Sequence, residues 1–108
     1  MSDRRRTLLD ENLDVRLRLW LPGVAATSAE FMGWKGVRNG ELVRHALAAG
    51  FDVLVTADRP VAQRPRAWAP LGCVFVTSNQ SLRLRAAAGA IDDACRTVLP
   101  GQVVTVRA

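Results

Sequence analysis

Two short apolar runs in this chain each end in carboxylates. Asp10 and Glu11 follow the run at residues 7–9, and Asp58 follows the run at residues 53–57. In an open α/β sheet, ligands bind beyond the carboxyl ends of the strands, so acids at two such ends converge on one edge. Carboxylates gathered there repel one another unless a cation neutralises them, and carboxylate ligands suit Mg²⁺ or Mn²⁺. These residues therefore predict a cation site.

Another acid, Glu41, begins the predicted helix that leads into the second of these strands. A divalent ion beside such acids can activate water and stabilise a phosphodiester transition state. We therefore predict catalytic roles for Asp10, Glu41 and Asp58, and metal-ligand roles for Asp10, Glu11 and Asp58. Each acid also has a simpler interpretation: Asp10 as a helix cap, Asp58 as a turn former, Glu41 as a partner of the helix dipole, and Glu11 as an exposed neighbour. Five further acids are interpreted as solvated surface charge: Asp14, Glu30, Asp52, Asp92 and Asp93.

Basic, aromatic and amide residues can hold an anionic substrate above those acids. The predicted substrate-binding residues are Arg38, Arg59, Arg64, Trp34 and Asn79. Trp34 lies in a glycine-rich loop and can stack a base, although packing of the loop is the simpler role. Acids at the floor of a site with arginines at its rim are typical of a nuclease.

The charge of the chain also indicates an anionic partner. The formal net charge is +5, and every basic residue except Lys35 is an arginine. Arginine presents a planar fork that grips phosphate in two places, so the balance favours RNA or another polyanion. Solubility and genomic base composition are the alternative explanations. A single histidine makes a zinc site improbable, and Cys73 and Cys95 are predicted to be small buried residues without a disulfide.

The length of 108 residues suits one domain, residues 1–108, with one packed core. No apolar run approaches the length that spans a bilayer, so we expect a cytoplasmic protein with no membrane partner. The predicted strands are residues 7–9, 24–27, 52–56, 73–77 and 103–106, with the second toward a sheet edge. The predicted helices are residues 13–21, 41–49 and 82–99, capped by Asn12, Asn39 and Ser81, and residues 33–40 and 59–70 are predicted as loops. This order predicts an α/β fold: a three-layer doubly wound, mostly parallel sheet with helices on both faces.

The two acid-bearing runs also resemble a known family. Leu8-Leu9-Asp10-Glu11-Asn12-Leu13 resembles the LLDENL opening of small bacterial PIN-like proteins, and Val53-Leu54-Val55-Thr56-Ala57-Asp58 resembles their VLVTxD strand. The resemblance covers residues 6–80 in order and spacing. It implies a PIN-like fold and a Mg²⁺- or Mn²⁺-dependent ribonuclease, a toxin with RNA as substrate and an antitoxin protein as partner. In this resemblance Asp10 matches the first metal-binding acid, Asp58 the acid after the later strand, and Glu41 the helix acid.

The chain departs from that family where it continues with Arg59-Pro60-Val61, because a second Asp and an aromatic residue are often found there. With fewer acids, the number of metal ions that the site would hold, one or two, stays open. Fewer acids also leave open a degenerate PIN-like member that binds RNA or docks a partner without cutting. A homodimer is compatible with so small a domain.

Receiver domains of response regulators are a further alternative. They place acids after the first and third strands and Thr or Ser after the fourth, as Thr77 and Ser78 do here. They also need a lysine after the last strand, and the single lysine of this chain, Lys35, lies in an early loop. The basic net charge disfavours this alternative as well.

Overall fold

Five short strands and several helices make up the parts of the chain that the structure describes. The structure is a computed structural model that describes residues 4–37, 39–59 and 70–108. The strands are β1 Arg6–Leu9, β2 Ala25–Ser28, β3 Val53–Thr56, β4 Gly72–Val76 and β5 Val103–Val106. The described helices are a 3₁₀ helix Val15–Trp20 and the α-helices α1 Asn39–Ala48, α2 Ser81–Ala86 and α3 Ala88–Thr97.

The strands form one sheet in the order β2-β1-β3-β4-β5. Every pair in the sheet is parallel, and Leu9 of β1 lies opposite Val55 of β3. The α/β prediction is confirmed, and so is the place of the second strand at an edge. The strand order reverses direction between β1 and β3. Doubly wound sheets bind their ligands at such a switch point, beyond the carboxyl ends of the strands.

Both faces of the sheet are buried by apolar side chains. Leu8 and Leu54 pack on one face with residues of α1, and Leu9 and Val55 pack on the other with the 3₁₀ helix, α2 and α3. Because neighbouring residues of a strand point to opposite faces, these continuous apolar runs are what a sheet covered on both sides requires. The arrangement is compatible with a three-layer α/β fold.

The two cysteines occupy this core. Cys73 on β4 and Cys95 on α3 are fully buried, as the sequence predicts, and both thiols are free. Burial raises the pKa of each thiol to about 12. Neither thiol is therefore an activated nucleophile at neutral pH.

The helices are shorter than the sequence predicts. The predicted helix at residues 82–99 is two helices that meet at Ala87, and the predicted helix at 13–21 is a 3₁₀ helix of six residues. No glycine or proline lies at position 87, so local propensity does not predict the break. The helix predicted at 41–49 is confirmed as α1. No helix in the described ranges is long and apolar enough to cross a membrane.

Asp14 is the N-cap of the 3₁₀ helix, so the predictions of a cap at Asn12 and of a solvated Asp14 are wrong. The Asp14 carboxylate accepts a hydrogen bond from the backbone N–H of Arg16 at 2.9 Å and one from the Ser81 hydroxyl at 2.6 Å. It also forms an ion pair with the Arg16 side chain. These partners hold the pKa of Asp14 well below its usual range, Arg16 most strongly. Only folding brings Ser81 of α2 to this cap, so the sequence alone does not reveal it.

Replacing Asp14 by Ala is expected to lower the free energy of unfolding by about 1 kcal/mol at neutral pH, the usual cost of a lost cap. Because the pKa of Asp14 is lowered in the folded state, its contribution is present above the ordinary pKa of 3.8 and is lost as the pH falls below it. Urea unfolding at neutral and acidic pH measures both effects. Asp93→Ala, which removes an exposed acid paired with Arg96, is the matched control. Equal stability of Asp14→Ala and wild type at neutral pH would contradict this account.

Candidate functional site

The structure joins the predicted acids of β1 and β3 through a threonine. The Thr56 hydroxyl donates to Asp10 Oδ2 at 2.7 Å and accepts the backbone N–H of Asp58 at 2.9 Å. The other carboxylate oxygen of Asp10 accepts the N–H of Glu11 at 2.8 Å. The N–H of Asp10 donates to the carbonyl of Val55 at 2.9 Å, so strand pairing itself sets the spacing. The predicted convergence of two strand ends therefore occurs at the switch point between β1 and β3.

Asp10 is the buried acid of this group, with 9% of its surface exposed. Burial raises the pKa of Asp10, and the charges of Asp58 and Glu11 raise it further. The hydrogen bonds from Thr56 and Glu11 act in the opposite direction. The negative charge of Asp58 thus disfavours ionisation of Asp10, and a bound cation would relieve that repulsion.

The cost of ionising Asp10 should be visible in the pH dependence of stability. Because the pKa of Asp10 is raised in the folded state, there is a pH range in which the folded protein still holds this proton and the unfolded chain has released it. The stability of the protein falls as the pH rises through that range. Asp10→Asn is expected to remove this loss. As the pH rises from acidic to neutral, the unfolding free energy of Asp10→Asn should therefore increase relative to that of wild type. Urea unfolding without divalent ions measures the shift, and a pH-independent difference would contradict it.

Glu11 contacts the glycine-rich loop rather than the other acids. Its Oε2 atom accepts the backbone N–H of Gly36 at 3.0 Å, and Gly36 has a φ of 84°, which favours glycine. Trp34 of the same loop packs edge-on against His45 and Phe51, with ring centroids 5.4 and 6.0 Å away. The ring is half-buried against the core. Glu11 and Trp34 thus fix a loop beside the acids.

The remaining predicted residues are more dispersed. Glu41 lies in the first turn of α1 with its side chain 65% exposed and forms an ion pair with Arg44 at 3.7 Å. Among the contacts of the described residues, none joins Glu41 to Asp10 or Asp58. The Arg59 guanidinium lies 5.5 Å from the centre of the Phe75 ring, and Asn79 is exposed in the loop after β4. Arg38 and Arg64 lie outside the described residues.

The acids fit a cation held by few protein ligands. Within the described parts of the chain, no three His, Cys, Asp or Glu side chains are grouped so that they could hold a metal together. Mg²⁺ in nucleotide and polymerase sites commonly keeps several waters and takes only one or two carboxylates plus substrate phosphates. Asp10 and Asp58 meet that smaller requirement, and the hard oxygen donors suit Mg²⁺ or Mn²⁺. The three-ligand set that includes Glu11 does not form in this conformation.

Thr56 is the site residue that the sequence analysis did not assign. The available signal was a hydroxyl residue at the end of an otherwise apolar run, two positions before Asp58. Thr56 is completely buried, and a buried hydroxyl needs hydrogen-bond partners. Here those partners are Asp10 and the N–H of Asp58, so Thr56 couples the two strand ends.

A cavity of about 220 Å³ lies elsewhere, at the outer edge of β2. It is lined by Arg18, Ala26, Thr27 and Phe31. None of the acids Asp10, Glu11 and Asp58 lines this cavity.

Comparisons with known proteins add no relative to this description. No protein-family model, no curated protein and no solved structure matches the chain. The resemblance to PIN-like proteins therefore rests on its two sequence motifs.

Proposed function

We propose that the protein is a PIN-like ribonuclease that uses Mg²⁺ or Mn²⁺. The observation that carries the proposal is the linkage of Asp10 and Asp58 through the Thr56 hydroxyl at the switch point of a parallel sheet. A cation at the ligand-binding edge would stabilise the ionised form of two neighbouring carboxylates. The arginine-rich composition and net charge of +5 supply the attraction for an RNA backbone.

The residues divide into three roles in this proposal. Asp10 and Asp58 hold the cation, and Thr56 positions both of them. When bound, the ion would activate water and neutralise charge that develops on the phosphodiester. Glu11 holds the loop at Gly36 beside the site. Glu41, which pairs with Arg44, receives no ligand role, and its action on substrate stays a prediction.

The partners proposed for the protein rest on different grounds. RNA follows from the charge of the chain and the chemistry of the acids. The assignment as a toxin restrained by an antitoxin protein rests on the resemblance of the two motifs alone. A homodimer stays a prediction from the size of the domain.

A receiver-like phosphoacceptor is the second candidate, and the strand order favours it. The order β2-β1-β3-β4-β5 is that of receiver domains, and Asp58 follows β3 as their phosphoacceptor does. The basic net charge of +5 weighs against it. The Thr77 hydroxyl, which would contact a phosphoryl group, accepts the N–H of Ala108 at 2.9 Å. Incubation with acetyl phosphate and intact-mass analysis separates the candidates, since only a phosphoacceptor gains the mass of a phosphoryl group.

The test of the nuclease proposal is a cleavage screen on single-stranded and structured RNAs. We expect cleavage with Mn²⁺ or Mg²⁺ and none with EDTA. Asp58→Asn should remove the activity while Asp93→Asn, at an exposed ion pair on α3, retains it. RNA binding without any cleavage in the presence of either metal would identify a degenerate binding module instead.

A further inference from the structure

The loop that follows β2 is hydrogen-bonded to the residues on both sides of Asp10. The N–H of Ala29 donates to the carbonyl of Leu9, directly before Asp10 in the chain, at 2.8 Å. The N–H of Gly36 donates to Oε2 of Glu11, directly after Asp10, at 3.0 Å. These two contacts hold both ends of the loop at the carboxyl end of β1, so the loop lies beside the buried acid of the candidate site.

Internal contacts give this loop a defined shape. The carbonyl of Ala29 accepts the N–H of Trp34 at 2.9 Å, and the carbonyl of Trp34 accepts the N–H of Val37 at 3.0 Å. The Trp34 ring packs against the core. Both glycines of the loop have positive φ angles, 77° and 84°, which other residues rarely adopt. The backbone of residues 29–37, which we call the Lys35 loop, is therefore anchored at its ends and along its length.

The single lysine of the chain lies in this loop, directly before Gly36. Lys35 is exposed, and within the described ranges no ion pair includes it. Its ammonium group is a compact charge on a flexible four-carbon stem, which can reach a ligand held near the backbone. Because Gly36 is bonded to Glu11, this positive charge is carried by a residue next to one that is fixed at the acid site.

We propose that Lys35 binds a phosphate of RNA beside the acid site and that Glu11 is the positioning residue that holds the Lys35 loop there. The assignment of RNA rests on the proposed nuclease function. A phosphate that reaches Asp10 and Asp58 brings negative charge to an edge that is already acidic, and a lysine at that edge offsets this charge. Lysine binds phosphate as a point charge, and contacts to phosphate carry no sequence information. Lys35 therefore attracts RNA without selecting its bases.

This assignment gives Glu11 a role that depends on its oxygen atom and not on its charge. The Oε2 atom accepts the N–H of Gly36, and the side-chain carbonyl oxygen of a glutamine can accept the same bond. Glu11→Gln should therefore keep the loop in place, whereas Glu11→Ala should release it. A role of Glu11 through its charge would make the two variants alike.

The test is fluorescence anisotropy with labelled oligouridylate and oligoadenylate over a series of salt concentrations in EDTA, which separates binding from cleavage. Lys35→Gln should weaken the binding of both probes by about eightfold at about 50 mM salt, because one phosphate contact to a single strand contributes about 0.7 to the salt slope. The slope of log affinity against log salt should fall by about 0.7. Lys35→Arg, which keeps the charge, should bind nearly as wild type does.

The matched control is Arg18→Gln, which removes one positive charge from the last turn of the 3₁₀ helix. Arg18 is exposed and lines the cavity at β2, which none of the candidate acids lines. This variant should bind both probes nearly as wild type does. Thermal unfolding of every variant establishes that it remains folded.

A double-mutant cycle tests the positioning role of Glu11. In the Glu11→Ala background, Lys35→Gln should weaken binding by about twofold or less, because the loop no longer holds the lysine at the site. In the Glu11→Gln background, the full effect of about eightfold should return. An undiminished effect of Lys35→Gln in Glu11→Ala would overturn the role of Glu11.

The phosphate contact is overturned if wild type does not bind the probes, if Lys35→Gln binds them as wild type does, or if Arg18→Gln loses as much affinity as Lys35→Gln. The last result would show that affinity follows net charge alone. A loss of affinity in Lys35→Gln, in a protein that cleaves no RNA with Mn²⁺ or Mg²⁺, would refute the nuclease function and support the phosphate contact.

Discussion

Replacing Asp10 by Asn is expected to lower the rate of Mn²⁺-dependent RNA cleavage by about a thousandfold, the upper range for loss of one group that stabilises developing charge. Asp10 is the buried member of the acid pair, and its two carboxylate oxygens face Thr56 and Glu11. The amide of Asn nearly preserves the shape of the side chain but removes its charge, so the cation loses its buried ligand. Single-turnover cleavage of a labelled RNA measures the change.

Asp93→Asn provides the control for this measurement. It makes the same chemical change at an acid that is 68% exposed on α3. Its cleavage rate should equal that of wild type. Since Asp10 and Asp58 act on one cation, the double variant Asp10→Asn/Asp58→Asn should be little slower than Asp10→Asn alone. Cleavage by Asp10→Asn at the wild-type rate would refute the assignment of the site.

Replacing Leu54 by Ala is expected to lower the free energy of unfolding by about 3 kcal/mol, within the range for large-to-small changes in a core. Leu54 lies fully buried on β3, the central strand of the sheet, and packs with residues of α1. Its truncation removes apolar contacts and leaves a cavity between the sheet and that helix. Urea unfolding at neutral pH measures the loss.

Leu82→Ala is the matched control for the core prediction. Leu82 lies on α2 with 83% of its surface exposed, so the same truncation removes few contacts. Its free energy of unfolding should change by less than about 0.5 kcal/mol. Losses of similar size in the two variants would contradict the position of β3 at the centre of the fold.

The sheet and the meeting of the strand ends were predictable because they depend on short-range patterns. The run before Asp58 has apolar side chains at consecutive positions, which only a strand covered on both faces needs. Parallel strands joined by helices then place Asp10 and Asp58 at the same edge. The polar residues at the ends of such runs therefore predict the position of the candidate site from the sequence.

The features that escaped prediction depend on contacts between distant parts of the chain. Asp14 has the composition of a surface acid, and only the approach of Ser81 makes it a cap with two partners. For Trp34 the sequence offered base stacking or packing of the loop, and only the fold shows that its ring packs with those of His45 and Phe51. Glu41 has the spacing of a site acid, yet a neighbour one turn away, Arg44, pairs with it. Sequence spacing predicts the helix or strand on which a residue lies. The contacts of its side chain depend on the fold and are not predicted by that spacing.

The most direct test of the central claim is calorimetric titration of the RNA-free protein with Mn²⁺. Wild type should bind the ion, and Asp10→Asn/Asp58→Asn should not, because these two carboxylates form the proposed site. Asp92→Asn/Asp93→Asn, which removes two acids from α3, should bind as wild type does. A wild-type protein that binds no Mn²⁺, or a double variant at Asp10 and Asp58 that binds it as tightly as wild type, would contradict the account.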